Sequence, residues 1–350
     1  MPSINKVGTE FFANTVTANW QKNPTITKLV NGGFVISWDT LLLTDGTNSA
    51  EVKSQIFNSD GTKSGSELLV NTITGGEQAA PTVTGLTNGG FVVTWYDNSG
   101  TLGDSSGTSI KAQVFAEDGA KIGTEFLVNT EINNFQFYPT TTALQDGGFV
   151  VAWMDGIEGA LGSGTLGDTS GSSIKAQVFA ADGSKVGSEF LVNTKTENFQ
   201  TAPVIAELAN GSFVVSWTDG SGTPSDTNLY SIKAQIFAKD GGKVGGEFLV
   251  NTQTAGYKFR PTITGLSNGS FVVSWWGSSG TLGDSDFDIK AQMFSADGAK
   301  LGSEFLVNTQ TTGGQADPRV TGLGNGGFII TWDSNSSYSS VNAQVFSADG

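Results

Sequence analysis

The sequence predicts an all-β, six-bladed β-propeller with four antiparallel strands per blade, closed into a ring by its own N-terminal strand. Three observations predict it. One stretch, typified by Pro81-Thr-Val-Thr-Gly-Leu-Thr-Asn-Gly-Gly-Phe-Val-Val-Thr-Trp95, occurs six times, from Pro24, Pro81, Pro139, Pro203, Pro261 and Pro318 to Trp38, Trp95, Trp153, Trp217, Trp275 and Trp332. The copies follow one another every 57 to 64 residues and fill the 350-residue chain. Within each copy four short β-prone runs alternate with glycine-bearing turns, the pattern of a propeller blade.

The N-terminal stretch Lys6-Val-Gly-Thr-Glu-Phe-Phe-Ala-Asn14 matches Lys121-Ile-Gly-Thr-Glu-Phe-Leu-Val-Asn129, the fourth strand of the second unit. That unit serves as the template. Thr82–Leu86 alternates polar and apolar residues and reads as a strand. Asn88-Gly89 then marks a tight hairpin in which both central residues take positive φ. Phe91–Trp95 is nearly all apolar, which suits a strand covered on both faces. Its period-2 register puts Phe91, Val93 and Trp95 on one side, so the repeated Trp belongs to the packing between blades. After a polar loop, Ile110–Phe115 is the third strand, Asp118-Gly119 a second hairpin, and Glu125–Asn129 the fourth strand.

Spacing separates rigid from free parts. From the Asn ending each fourth strand (Asn14, Asn71, Asn129, Asn193, Asn251, Asn308) to the next Trp is 24 residues every time. From the third-strand Gln (Gln55, Gln113, Gln177, Gln235, Gln292) to the following Asn is 16 every time. Length varies only between Trp and Gln, from 12 to 24 residues. With the Pro-Thr strand innermost, these variable loops share one face with the blade-to-blade connections, and that face is the expected working surface.

The last unit stops after three strands at Asp349-Gly350, so blades are expected at about 24–72, 81–130, 139–194, 203–252, 261–309 and 318–350, the last completed by 5–15. A ring closed in this way leaves no exposed edge. An open superhelix, or exchange of the first strand between copies, are the alternatives.

Composition narrows function. The chain has no Cys and no His, which removes disulfides, Cys- and His-based metal sites and His-dependent triads. Its net charge of −15, with Arg260 and Arg319 the only arginines, disfavours nucleic acid and anionic membranes. No apolar run is long enough to span a bilayer, and Met1-Pro-Ser-Ile-Asn-Lys6 lacks the apolar core of a classical signal peptide.

The variable loops carry near-copies of Ser99-Gly-Thr-Leu-Gly-Asp104, and most open on an aspartate just past the Trp. Asp97, Asp104, Asp155, Asp168, Asp219, Asp226, Asp284, Asp286 and Asp288 are the candidate calcium ligands, hard oxygen donors on glycine-rich loops. The same residues also suit Asx turns that keep a loop soluble. Candidate ligand-binding residues are the non-repeating aromatics of the working face: Tyr96, Tyr138, Tyr230, Tyr257, Trp276 and Phe287, with Phe135, Phe137 and Phe259 beside them. Aromatic rings next to Asp and Asn are what neutral-sugar binding uses. In the repeated Lys111-Ala-Gln113 motif a structural hydrogen bond from Gln is expected. Glu10, Glu67, Glu125, Glu189, Glu247 and Glu304 read as solvated edge charges.

No catalytic residue is assigned. The polar features recur in most blades, whereas a catalytic constellation is normally single, and a sialidase-like site would need an arginine cluster that two arginines cannot supply. The whole blade text, Asn-Thr-x(4–8)-Gln-x-x-Pro through Asn-Gly-Gly-Phe-Val-Val-x-Trp to Ile-x-Ala-Gln-x-Phe-x-Ala-Asp-Gly and Glu-Phe-x-Val-Asn-Thr, resembles the tandem repeats of large secreted bacterial exoproteins of RTX and adhesin type. The resemblance implies an extracellular or cell-surface module, often calcium-associated. The glycine-rich nonapeptide calcium repeats of such proteins are missing. The expected function is therefore a non-enzymatic adhesion module for polysaccharide or a cell surface, with Ca2+ as a candidate cofactor. The alternative is a self-assembling structural module whose partners are like subunits.

Overall fold

A computed structural model describes residues 9–42, 49–156, 171–222, 230–278, 287–334 and 340–350. These form six antiparallel sheets in chain order, five of four strands and a last one of three. The fold is a six-bladed β-propeller. No helix among the described residues is long and apolar enough to cross a membrane.

Blade two shows the plan: an inner strand Gln78–Gly85, then Phe91–Asp97, Ser109–Phe115 and an outer strand Lys121–Leu127, each paired with the next. The hairpin after the inner strand differs from expectation. Leu86 N–H bonds Gly90 O and Gly89 N–H bonds Leu86 O, while Gly89 alone takes positive φ, +96°. That is a type I turn closed by a left-handed glycine, the three-residue form of hairpin. Gly90 has its own reason: a Cβ there would stand 2.3 Å from Phe115 O.

The core lies between blades. Leu86, Val92, Ile110, Ala112, Val114 and Val128 of blade two pack on Phe149, Val151 and Trp153 of blade three, and the pattern recurs between consecutive blades from one to six. Trp95, Trp153, Trp217 and Trp275 are wholly buried, as the period-2 register predicts.

The N-terminal segment sits where an outer strand belongs. Phe11 meets Phe57 of blade one with ring centroids 5.4 Å apart, as Phe126 of blade two meets Phe179 of blade three at 5.5 Å. Thr15 N–H donates to Glu67 Oε2 at 2.7 Å, matching Thr194 N–H to Glu247 at the same distance. The strand it would complete by register is the third strand of blade six, Ser340–Phe346. There Val341 and Val345 are 78 % and 56 % exposed, while their blade-two counterparts Ile110 and Val114 are fully buried. The described residues thus hold the closing segment against blade one, and no pairing between it and Ser340–Phe346 is among their strand pairs.

Candidate functional site

Two of the repeated polar features prove to be framework. Lys111 is fully buried, its Nζ 3.0 Å from Asp97 Oδ1 and 3.3 Å from Glu125 Oε1. The same triad joins Lys175 to Asp155 and Glu189, and Lys233 to Asp219 and Glu247. The other oxygen of Glu125 accepts the Thr72 N–H of the preceding blade. Of the glutamates expected as solvated edge charges, Glu67, Glu125, Glu189, Glu247 and Glu304 are therefore inter-blade staples, with Glu125, Glu189 and Glu304 buried, while Glu10 is exposed as expected. Asp97, Asp155 and Asp219, placed on the loops as calcium ligands by sequence, turn into the sheet instead, because a buried lysine has to be paired. At Asp219 burial holds the carboxyl above the ordinary aspartate range despite Lys233 Nζ at 2.8 Å.

The repeats themselves support the pairing. Asp97, Asp155 and Asp219 stand opposite Ser109, Ser173 and Ser231. In blade five the carboxylate has crossed to the neighbouring strand, Asp288 facing Gly277, and Lys290 is retained. In blade one Glu51 faces Thr40 and Lys53 is retained. Blade six has Ser334 facing Ser340, and Asn342 where the others have lysine. Carboxylate and lysine disappear together.

The third repeated feature, Gln, behaves as expected: Gln113 Nε2 bonds Val114 O and Ile122 O across the third and outer strands. Asp104 accepts from Asn129 Nδ2 at 2.9 Å and Ser106 N–H at 3.2 Å, and burial raises its carboxyl. Asp288 accepts from Asn308 Nδ2. Among the described residues no three carboxylates gather as a metal group. Asp168, Asp226, Asp284 and Asp286 lie outside the described residues.

Within the fixed-length part of each blade, one position on the inner strand varies widely. Each inner strand begins a few residues before its proline and shifts register across it, for example between Ala79 and Thr82. The residue ahead of the proline takes positive φ in all six blades: Asn23 (+50°), Ala80 (+49°), Tyr138 (+55°), Ala202 (+51°), Arg260 (+45°) and Asp317 (+50°). Proline costs the ladder nothing at such a bulge. A non-glycine residue at positive φ is strained by roughly 1–3 kcal/mol, and such strain clusters where a bulge re-aims a side chain. These six side chains lie open or half-open, and in five blades the proline that follows is buried. Six equivalent positions carry five residue types. The alternation in the sequence starts this strand at Thr82, after the proline, and so leaves the position ahead of the proline out of it. The signal was there, in the variety just ahead of an invariant position.

Around Asn23, Ala80 and Tyr138 the ring gathers titratable groups. Asp39 Oδ1 accepts from Asn23 Nδ2 at 2.8 Å and from Ala80 N–H at 3.3 Å. Burial pushes its carboxyl above the ordinary aspartate range, and the Glu77 charge nearby adds to the rise. Tyr96 donates to Glu77 Oε1 at 3.0 Å, and burial with the Glu77 charge drives its hydroxyl far above the usual tyrosine value. Tyr96 meets Phe137 edge-on at 5.7 Å; Phe137 stacks on Phe135 and touches Tyr138, which is 54 % exposed. A second aromatic group runs through blades four and five: Tyr230 meets Tyr257 at 5.5 Å and Phe259 at 4.7 Å, and Trp276 bridges Phe259 and Phe287 at 5.0 Å each. The six candidate ligand-binding aromatics thus fall into two clusters, Tyr96 and Tyr138 in the first, Tyr230, Tyr257, Trp276 and Phe287 in the second.

The raised Asp39 pKa makes a pH prediction. The folded state holds the Asp39 proton to higher pH than the unfolded chain, so its contribution to stability is fully present below the ordinary value of 3.8 and is lost as pH rises through the raised one. Asp39→Asn should therefore gain stability relative to the parent between pH 4 and pH 7. Denaturant melts at both pH values check this, and an equal effect at each would refute it.

By sequence, no family model matches the chain and no curated protein does. Solved structures do. An α-L-arabinofuranosidase of Fusarium graminearum superposes with a TM-score of 0.58 at 12% identity, covering 93% of this chain and 92% of its own. An intramolecular trans-sialidase from Ruminococcus gnavus gives 0.57 at 11%, covering 97% of each. A Penicillium chrysogenum α-L-arabinanase complexed with arabinobiose gives 0.55 at 15%, covering 93% of each. The likeness is in the fold. It corrects the expectation of a non-enzymatic adhesion or self-assembling module, since these three propellers, matched along nearly their whole length, are carbohydrate-active enzymes. The recurrence of polar features in most blades was a poor guide, because the ring just described does not repeat.

Proposed function

We propose that the chain is a glycoside hydrolase acting on a neutral extracellular polysaccharide, with Asp39 as proton donor and Glu77 as the second carboxylate. One observation carries this: Asp39, Glu77 and Tyr96 come together beside the Phe137–Tyr138 platform on the ring where the blades cease to repeat. Glycosidic cleavage needs an acid that keeps its proton and a carboxylate that meets the developing oxocarbenium ion. Burial suits Asp39 to the first task. Tyr96 holds one oxygen of Glu77 and orients it for the second. The aromatic faces of Phe137 and Tyr138 offer a sugar ring an apolar seat. A net charge of −15 favours a neutral substrate over an anionic one. The exoprotein-like blade text supports a substrate outside the cell.

Release of reducing ends from arabinan and other neutral polysaccharides tests the reading. Glu77→Gln and Asp39→Asn should each lower turnover by about 10²–10⁴-fold with the fold intact. Release by the parent from none of the polysaccharides would sink it.

A further inference from the structure

Away from the acid centre, the ring residues of blades five and six bond to each other. Arg260 Nη1 donates to Asp317 Oδ1 at 3.0 Å, and both side chains are largely open to solvent. An exposed ion pair adds little to stability, and the bulge common to all six blades, with φ of +45° and +50° at these two residues, turns both side chains outward. The Arg260 backbone is itself anchored, its N–H donating to Thr218 Oγ1 at 3.0 Å in the preceding blade. The residue before it, Phe259, lies parallel to Tyr257 at 6.0 Å with 12° between the rings, and Tyr257 is 51 % exposed.

We propose that Arg260, Asp317 and the Tyr257–Phe259 stack form a second sugar subsite, which grips a vicinal diol of a neutral sugar residue. A guanidinium has five N–H donors and no acceptor, and a carboxylate accepts only. Held 3.0 Å apart, they match two adjacent hydroxyls, one accepting from Arg260 and the other donating to Asp317. The aromatic faces cover the sugar's C–H side. Asp317 also offsets the guanidinium charge, which steers the site from uronates toward neutral sugars. The subsite deepens the hydrolase reading by lengthening the glycan bound, but binding here does not require cleavage.

The test compares parent, Arg260→Ala, Arg260→Lys and Asp317→Asn on an array of neutral and uronate-bearing oligosaccharides, with melting curves to verify folding. Arg260→Ala and Asp317→Asn are expected to weaken retention of longer neutral glycans by about tenfold or more, and Lys to restore little because it lacks the planar fork. Where hydrolysis is measurable, KM for long substrates should rise with kcat unchanged. Retention of every neutral glycan unchanged in Arg260→Ala overturns the subsite, as does uronate retention by the parent that exceeds neutral retention. Arg260-dependent binding by a parent that cleaves nothing would uphold the subsite and refute the hydrolase.

Discussion

Replacing Lys111 by methionine is expected to cost about 3–5 kcal/mol of stability, the loss typical of removing one partner from a buried ion pair. Both carboxylates that face it, Asp97 and Glu125, are buried, and Ser99 and Thr101 hydroxyls complete the ammonium's shell. Without the lysine, two carboxyl groups are left in a region that water does not reach. The repair is already drawn in the chain, because blade six carries asparagine and serine at these positions. The double change Lys111→Asn with Asp97→Ser should therefore lie well above the additive sum of its two single changes. Urea melts of the four proteins measure the coupling. Additive losses would show that the triad is incidental.

The second large effect concerns the seam. If the N-terminal segment is the outer strand of blade six, blade two supplies its register: Lys111 stands opposite Leu127, so Asn342 stands opposite Phe12. The chain has no cysteine, so Phe12→Cys with Asn342→Cys introduces a single possible bridge. Phe12 is 76 % exposed and its loss costs little packing, while Phe11 stays on Phe57. Oxidation should give a monomeric disulfide that spans nearly the whole chain and adds up to about 4–5 kcal/mol, the upper range for long loops. Disulfide-linked ladders on a non-reducing gel would show instead that the strand is exchanged between copies.

Bulged inner strands explain why the ring escaped sequence reading. A proline after a variable residue reads as the start of a strand, since proline lacks the N–H a central ladder needs. In the structure the ladder runs on past it, because the bulge leaves that N–H position unpaired and turns the preceding side chain outward. The sequence pattern places function after the Trp, and the structure adds the residues ahead of the prolines. Tyr96 and Trp276 follow their Trp residues directly, but they meet ring residues that come before the prolines.

Sequence alone determined the blade count, the strand order, the hairpin sites and the burial of the six tryptophans. All of these follow from local patterns: period-2 apolar alternation, glycine at turns and a fixed repeat length. Only the tertiary structure decided where the charges go. Asp97 and Lys111 lie within one blade, but their pairing depends on a neighbouring blade sealing them from water. Asp39 comes to Ala80 N–H, and Arg260 to Asp317, across separations of 41 and 57 residues. Such meetings are set by how one blade packs on the next. A carboxylate on a glycine-rich loop and a carboxylate on a buried lysine look alike in a string of letters, because what distinguishes them is solvent, and solvent is excluded only when the blades come together.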